Sequence, residues 1–463
     1  MEEIKKPMGG GLEESSSFRD PDARVFYQDG EVYRKINPKY IKTYKKFMDS
    51  GLYKKLASNG LIVEHKEIKI CEDEIIIKPE QVFISYPWEW CFSELKDAAL
   101  ATLEIQKIAL EFDMTLKDAT PFNIQFLDNK PVLIDTSSFE EFKEKPWAAY
   151  RQFCENFLAP LALIAYTDLN LGSLLLGNIN GLSLELTSKL LPVSAKFNLG
   201  LFAHIFIHSK MQDKYSENKT EVKAGMSKKQ VLNIIDNLYD TVLSIKLYKY
   251  KTEWGEYYSN TNYTDDSFKA KKDIIDNFRC KMQPKTVWDF GCNTGIFSRI
   301  FSDNGSKVTA FDIDKLAIER NYNEVKANGE KNIFPLVFDI ANPSPALGFD
   351  NSERKTLKER VKNLKGGVDL ILALALIHHL RITYSIPFNR IAKYFSEISK
   401  HLIIEFVDKK DSKIQTMLLN REDIFDDYTK ENFENSFKEF YNIAEIKPIP
   451  DTKRTLYLME KKQ

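Results

Sequence analysis

Cysteine is scarce in this chain. Five of 463 residues are cysteine (Cys71, Cys91, Cys154, Cys280 and Cys292), scattered and without a Cys-x-x-Cys pair. That pattern excludes a disulfide framework and a cysteine zinc site, and it points to a reducing, cytoplasmic setting. Long apolar runs are missing too. The longest, 157–166, holds Pro160 and stops before Asp168. A membrane-crossing helix needs ~20 apolar residues, so this run reads as a buried helix and no membrane span is expected. Residues 1–24 are charged and Gly/Ser-rich with no apolar centre, so they read as a flexible tail and not as a secretory leader. Neither charge is in excess: 66 Lys+Arg stand against 67 Asp+Glu, a net charge of −1. No global field draws in nucleic acid or an anionic membrane.

What is present is enough apolar surface for real cores, at 43% hydrophobic and 12% aromatic residues. The length calls for two or three domains. A hairpin is expected around Gln28-Asp29-Gly30, helical spacing over 38–60, and strand-like alternation at 67–84 that includes Val82–Phe83–Ile84. A long helix is expected over 93–111. Short strands at 124–127 and 132–134 follow, then helix through 147–250. After the Tyr/Asn/Asp-rich stretch 249–268 the pattern changes to alternating strands and helices. Strands are expected at 286–290, 307–311, 333–338, 370–374 and 401–407, and a closing hairpin at 441–449 and 454–459. Alternation of this kind means a parallel sheet covered by helices. The domains are therefore read as 25–250, an α+β domain, and 251–463, an α/β domain.

The C-terminal half carries Val287-Trp288-Asp289-Phe290-Gly291-Cys292-Asn293-Thr294-Gly295. A strand runs into a Gly-rich turn and then a helix. Gly291 permits positive φ, and Gly295 permits close packing at the helix start. Seventeen residues after Gly295, the next strand ends at Asp312, where an acid can hold a ribose diol. Asp339 closes the third strand, and Asp369 opens the fourth. A Gly-x-Gly-x-x-Gly reading fails, because Asn293 and Ile296 occupy the second and third glycine positions.

These residues resemble the class I S-adenosylmethionine-dependent methyltransferases. The resemblance covers about 270–463 and implies a Rossmann-like seven-stranded sheet ending in an antiparallel hairpin. It implies that Asp289, Gly291, Asn293 and Gly295 shape the methionine end of the pocket. Asp312 would bind the ribose, and Asp339 with Ile340 would sit at the adenine. Past the fourth strand, His378 and His379 stand where ligands bind in open α/β sheets. Either could take a proton from a hydroxyl or amine acceptor. The alternative is that one caps a helix and the other packs at the cofactor edge. The Asn/Asp-Pro-Pro-aromatic signature of amide and exocyclic-amine methylation is absent, which counts against nucleic acid bases as acceptors. Glu405, near the end of the fifth strand, could contact the acceptor or cap a helix. Trp254-Gly255-Glu256-Tyr257-Tyr258 and the stretch from Asn262 read as a lid or as a packed linker. The charged run 353–365 reads as a solvated helix face.

The N-terminal half holds Asp118, Asn123 five residues on, and Asp135 after eleven intervening residues. Phosphoryl transfer needs an Asp at the acceptor and Asn and Asp oxygens on magnesium. The pattern resembles the catalytic loop of protein-kinase-like folds, which implies ATP and magnesium as ligands, Asp118 as base and Asn123 with Asp135 on the metal. No Gly-rich phosphate loop precedes it, and the family's strand lysine has no clear counterpart. Arg34 or Lys35 are the candidates. As a whole the chain resembles a bacterial two-part family that includes nodulation-type methyltransferases. The expected activity is methyl transfer to an oxygen or nitrogen of a small molecule or glycan, the N-terminal domain selecting the substrate. Alternatives are a bifunctional kinase/methyltransferase and a non-catalytic cofactor-binding scaffold. The sequence leaves the oligomeric state open.

Overall fold

The computed structural model describes residues 12–209, 225–247, 263–362, 364, 366–419 and 422–462. The chain divides into two compact units. One is Met1–Tyr250 with Ala346–Arg354; the other is Lys251–Pro345 with Lys355–Gln463.

The first unit opens with β1 (Leu12–Glu13), β2 (Ala23–Gln28), β3 (Glu31–Ile36), β4 (His65–Ile70) and β5 (Ile75–Pro79), in the order β1-β2-β3-β5-β4. The β2–β3 turn places Asp29 and Gly30 at φ of 53° and 74°, the left-handed pair that suits a tight hairpin. Ile36, Tyr40, Tyr44, Ile75 and Ile77 form a core between this sheet and the helix Ile41–Asp49. The expected helix over 38–60 is broken at Gly51, whose φ of 88° ends one helix before Leu52–Ser58 begins. The helix Phe92–Glu111 buries residues on most of its circumference. It leads to β6 (Met114–Leu116), β7 (Ile124–Leu127), β8 (Lys130–Leu133) and β9 (Phe139–Glu141), paired as β6-β9 and β7-β8.

Three expectations for these regions change. Residues 12–24 are not a tail: Leu12 and Glu13 pair with Tyr27 and Phe26, and Glu14 is buried. Residues 82–84 join no strand. The run 353–365 is not one solvated face. Glu353 is buried and ion-paired to Arg19, and Arg354 lies over the Phe122 ring at 3.9 Å. Both belong to the first unit, and the helix Leu357–Lys362 to the second.

The second unit is built on one sheet, seven-stranded among the described residues. Its strands are β10 (Thr286–Phe290), β11 (Lys307–Asp312), β12 (Ile333–Val337), β13 (Val368–Ala373), β14 (Ser399–Val407), β15 (Tyr441–Pro448) and β16 (Arg454–Lys461). The order is β12-β11-β10-β13-β14-β16-β15. Strands β10 to β14 run parallel, and β16 inserts antiparallel between β14 and β15. The central strands are apolar on both faces because helices cover both. Asp369 accepts the amides of Lys285 and Thr286 at 3.0 and 3.1 Å. It ties strand starts together, at the end away from the Gly-rich turn. Among the described residues no helix is long and apolar enough to cross a membrane.

Candidate active site

The Gly-rich turn leaves β10 at Phe290. Gly291 has φ of 79° and Gly295 has φ of 81°. At Gly295 a side chain is excluded twice: by conformation, and because a Cβ would lie 2.7 Å from Asn321 Nδ2 and 2.9 Å from Arg299 Nη1. The amides of Gly291 and Cys292 both donate to the Phe311 carbonyl, at 2.8 and 3.0 Å, which fastens the turn to β11. Asn293 takes the left-handed conformation at φ of 52°, and its Oδ1 accepts from the Thr294 amide at 2.9 Å. An asparagine can therefore stand where the motif often has glycine.

Two carboxylates lie under this turn. Asp312, at the end of β11, accepts the Asn293 amide at 2.7 Å and the Asp314 amide at 2.8 Å, one on each oxygen. Asp289, on β10, accepts from the Ser298 hydroxyl at 2.6 Å and so binds the strand to the helix Ile296–Ser302. Burial pushes the Asp289 carboxyl up to about 7, against the Ser298 hydrogen bond and with Asp312 adding to the rise. Burial likewise raises Asp312 to about 6, opposed by the amides of Asp314, Asn293 and Ile313. Asp339 lies past β12, half-buried beside Ile340, and its carboxylate accepts the Ala341 amide at 2.9 Å.

These residues fit the cofactor that the fold implies. Two left-handed glycines open the turn, an acid stands at the end of the second strand, and buried carboxylates suit a ligand that carries a sulfonium and an ammonium group. Asp289, Gly291, Asn293 and Gly295 would flank its methionine end, Asp312 its ribose, and Asp339 with Ile340 its adenine.

Beyond β13 the chain passes through Ala375 to His378 and His379. Their rings are 4.3 Å apart. His378 is buried, and its Nδ1 has no hydrogen-bond partner among the described residues. Burial lowers His379 to about 4, with Arg454 adding to the effect, and it lowers His378 well below the usual imidazole range. Burial thus favours the neutral form of both rings.

Glu405 stands at the centre of a buried charge network. Its carboxylate accepts from Lys271 Nζ at 2.6 Å, from Arg454 Nη1 at 3.3 Å, from the Ala375 amide at 2.9 Å and from the Tyr263 hydroxyl. Arg454 Nε also donates to Asp411 at 3.0 Å. The side chains of Lys271, Glu405, Arg454 and Asp411 are at most 4% exposed. Burial alone would raise Glu405, but Lys271, Arg454 and Tyr263 outweigh it and hold the carboxyl at about 2. Sequence reading missed Lys271 and Arg454. A signal existed: Lys271 sits in the buried stripe Ser267, Lys271, Ile275, Phe278 of the helix Asp265–Met282, where an apolar residue is the norm. The aromatic stretch at 254–258 and Asn262 lie outside the described residues.

In the first unit, Asp118, Asn123 and Asp135 come from one loop and the end of one hairpin. Ser138 links two of them: Asn123 Nδ2 donates to its hydroxyl at 3.1 Å, and that hydroxyl donates to Asp135 at 2.6 Å. Asp118 instead accepts from Gln152 Nε2 at 2.8 Å and from the Thr120 amide at 3.1 Å. Asp135 is crowded on its Oδ1. Arg34 of β3 is ion-paired to it, and Ser137 donates to the same oxygen through its amide at 2.9 Å and its hydroxyl at 2.5 Å. Arg34, and not Lys35, reaches this site; Lys35 pairs with Glu74. A guanidinium on the carboxylate that magnesium would need does not fit a metal-bound nucleotide. Among the described residues no group of three or more His, Cys, Asp or Glu is arranged to hold a metal ion.

The methyltransferase-domain family model matches residues 265–440. Over nearly its whole length the chain is similar to nodulation protein NoeA of Rhizobium meliloti (strain 1021). The two are 31% identical over 466 residues, covering 97% of this chain and 96% of that protein. Among solved structures, the N-methyltransferase NodS from Bradyrhizobium japonicum WM9 is 14% identical with a TM-score of 0.31, covering 43% of this chain and 98% of that one. The bifunctional kinase-methyltransferase WbdD is 17% identical with a TM-score of 0.29, covering 48% of this chain and 45% of that one. Neither structure is close enough to assign a substrate.

Proposed function

The chain belongs to the family of nodulation protein NoeA and is an S-adenosylmethionine-dependent methyltransferase; from that premise we propose that it methylates an oxygen or nitrogen of a small molecule or glycan, the N-terminal unit selecting that acceptor. The cofactor supplies an electrophilic methyl group on a sulfonium. The chain's own part is to hold the acceptor in line with it and to receive the acceptor's proton. His379 is the better placed of the two histidines to do so, being half-buried where His378 is enclosed. Burial favours its neutral form, the form that can receive a proton.

The observation that carries this reading is the Asn293–Asp312 hydrogen bond, which joins the Gly-rich turn to the acid at the end of the second strand. Calorimetric titration with S-adenosylmethionine tests it, followed by transfer of labelled methyl into fractionated extracts. Micromolar binding with labelled product is expected, and no binding overturns it. The N-terminal unit is kinase-like in the spacing of Asp118, Asn123 and Asp135. The Arg34–Asp135 pair favours a role in binding over phosphoryl transfer. If magnesium-ATP were turned over and Asp118→Ala abolished that turnover, the bifunctional reading would replace this one.

A further inference from the structure

Ala375 has φ of 48°. Most other non-glycine residues at positive φ among the described residues are Asp or Asn, which tolerate the left-handed region. An alanine there is strained, and such strain persists only where the surroundings hold it. What holds it is visible: the Ala375 amide donates to Glu405 Oε2 at 2.9 Å. Ala375 also lies at a sensitive place. Its two neighbours back the Gly-rich turn, since a Cβ at Gly291 would meet Leu376 Cδ1 at 3.6 Å and the Leu374 carbonyl at 4.0 Å. His378 and His379 follow directly. The other oxygen of Glu405 engages Arg454 and the Tyr263 hydroxyl, while Lys271, bound to Oε2, lies 4.6 Å from the Phe297 ring at the start of the helix after Gly295.

We propose that Glu405 is a positioning residue for methyl transfer, a clamp that sets the left-handed exit of β13 against the Gly291 turn and so fixes the wall of the cofactor pocket. The proposal rests on reading that site as the S-adenosylmethionine pocket. Glu405 is fully enclosed, so it acts through Ala375 and Lys271 and not by touching the acceptor. A buried ion network is often replaceable by apolar residues without loss of stability, so stability alone does not account for charges here. A fixed geometry at a strained backbone does.

The test uses the full chain and four variants: Glu405→Gln, Glu405→Asp, Ala375→Gly and the double variant Glu405→Gln/Ala375→Gly. Cofactor affinity is read by calorimetry and stability by urea unfolding. Glu405→Gln is expected to weaken S-adenosylmethionine binding at least tenfold. Ala375→Gly alone, which removes the strain, changes it less than about threefold, on the scale of a single relieved backbone conformation. In the double variant affinity recovers while stability does not, because Lys271 still lacks its counter-charge and Arg454 keeps Asp411 alone. That split is what a merely structural role would not produce. Glu405→Asp keeps the charge while shortening the reach to Ala375, and so remains informative if the Gln variant does not fold; it too weakens binding. Affinity unchanged in both Glu405 variants overturns the clamp, and so does a double variant no better than Glu405→Gln. A wild-type chain that binds no S-adenosylmethionine overturns the site reading and the clamp together, whereas wild-type binding with unaffected variants overturns the clamp alone.

Discussion

The Asn293 amide donates to the Asp312 carboxylate at 2.7 Å across the gap between two parallel strands. One residue belongs to the turn after β10 and the other to the end of β11, so this hydrogen bond joins the Gly291 and Cys292 amide bonds to the Phe311 carbonyl in tying the turn to β11. Asp312→Asn removes the charge and leaves an amide that cannot accept on both sides. Charge-assisted hydrogen bonds contribute about 1.5–3 kcal/mol, so S-adenosylmethionine affinity should fall about ten- to a hundredfold. Calorimetry on a variant that still unfolds cooperatively checks this, and an unchanged Kd would remove Asp312 from the site.

Cofactor binding should depend on pH with a definite sign. The Asp289 and Asp312 carboxyls stand at about 7 and about 6 in the folded chain, above the 3.8 of a free aspartate. The native state therefore binds more protons than the unfolded state between about pH 4 and pH 7, and the cofactor-free protein loses stability as pH rises through that window. A sulfonium ligand favours the ionised carboxylates. Its affinity should rise over the same window, level off above it, and be accompanied by proton release. Titrations in buffers of different ionisation enthalpy measure the release; affinity that falls with rising pH would contradict the assignment.

Gly295→Ala should damage the turn by two routes at once, a left-handed φ of 81° and a Cβ 2.7 Å from Asn321. Strain of this kind costs about 1–3 kcal/mol, and cofactor affinity should fall with it. Gly30→Ala, at φ of 74° but with nothing within 4 Å, is the control: it carries only the conformational cost and leaves cofactor affinity unchanged. Urea unfolding and calorimetry on both variants decide it.

In the N-terminal unit, Arg34→Ala strips the counter-charge from Asp135, whose remaining donors are hydroxyls and one amide. Breaking a buried pair from one side costs about 3–5 kcal/mol, and the slight exposure of this pair, at 11% and 16%, places the effect at the lower end. Adding Asp135→Asn should recover most of the loss. Magnesium with ATP should give no rise in the melting temperature of the wild-type chain, and a rise of several degrees would show that Arg34 yields its place to a metal.

Much of the second unit is legible from local pattern. Alternating apolar strands, Gly291 and Gly295 at their spacing, Asp312 seventeen residues on and a closing hairpin specify the parallel sheet and its turn, because each signal lies within one strand–turn–helix step. The first unit reads less well. The hairpin at Asp29-Gly30 and the long helix Phe92–Glu111 follow from turn chemistry and periodicity. Residues 82–84 look like a strand because they are apolar and rich in β-branched and aromatic side chains, but they are in no strand of the structure.

The sequence by itself determined the turn, the order of the strands along the chain and which acids end them, since those depend on neighbours a few residues apart. Only the tertiary structure decided what the charges do. Lys271, Glu405 and Arg454 are separated by 134 and 49 residues along the chain, yet meet where the solvent is gone. Arg34 reaches Asp135 across 101 residues and takes the position a metal would need. Desolvation depends on everything packed around a group, and no stretch of sequence carries that information locally.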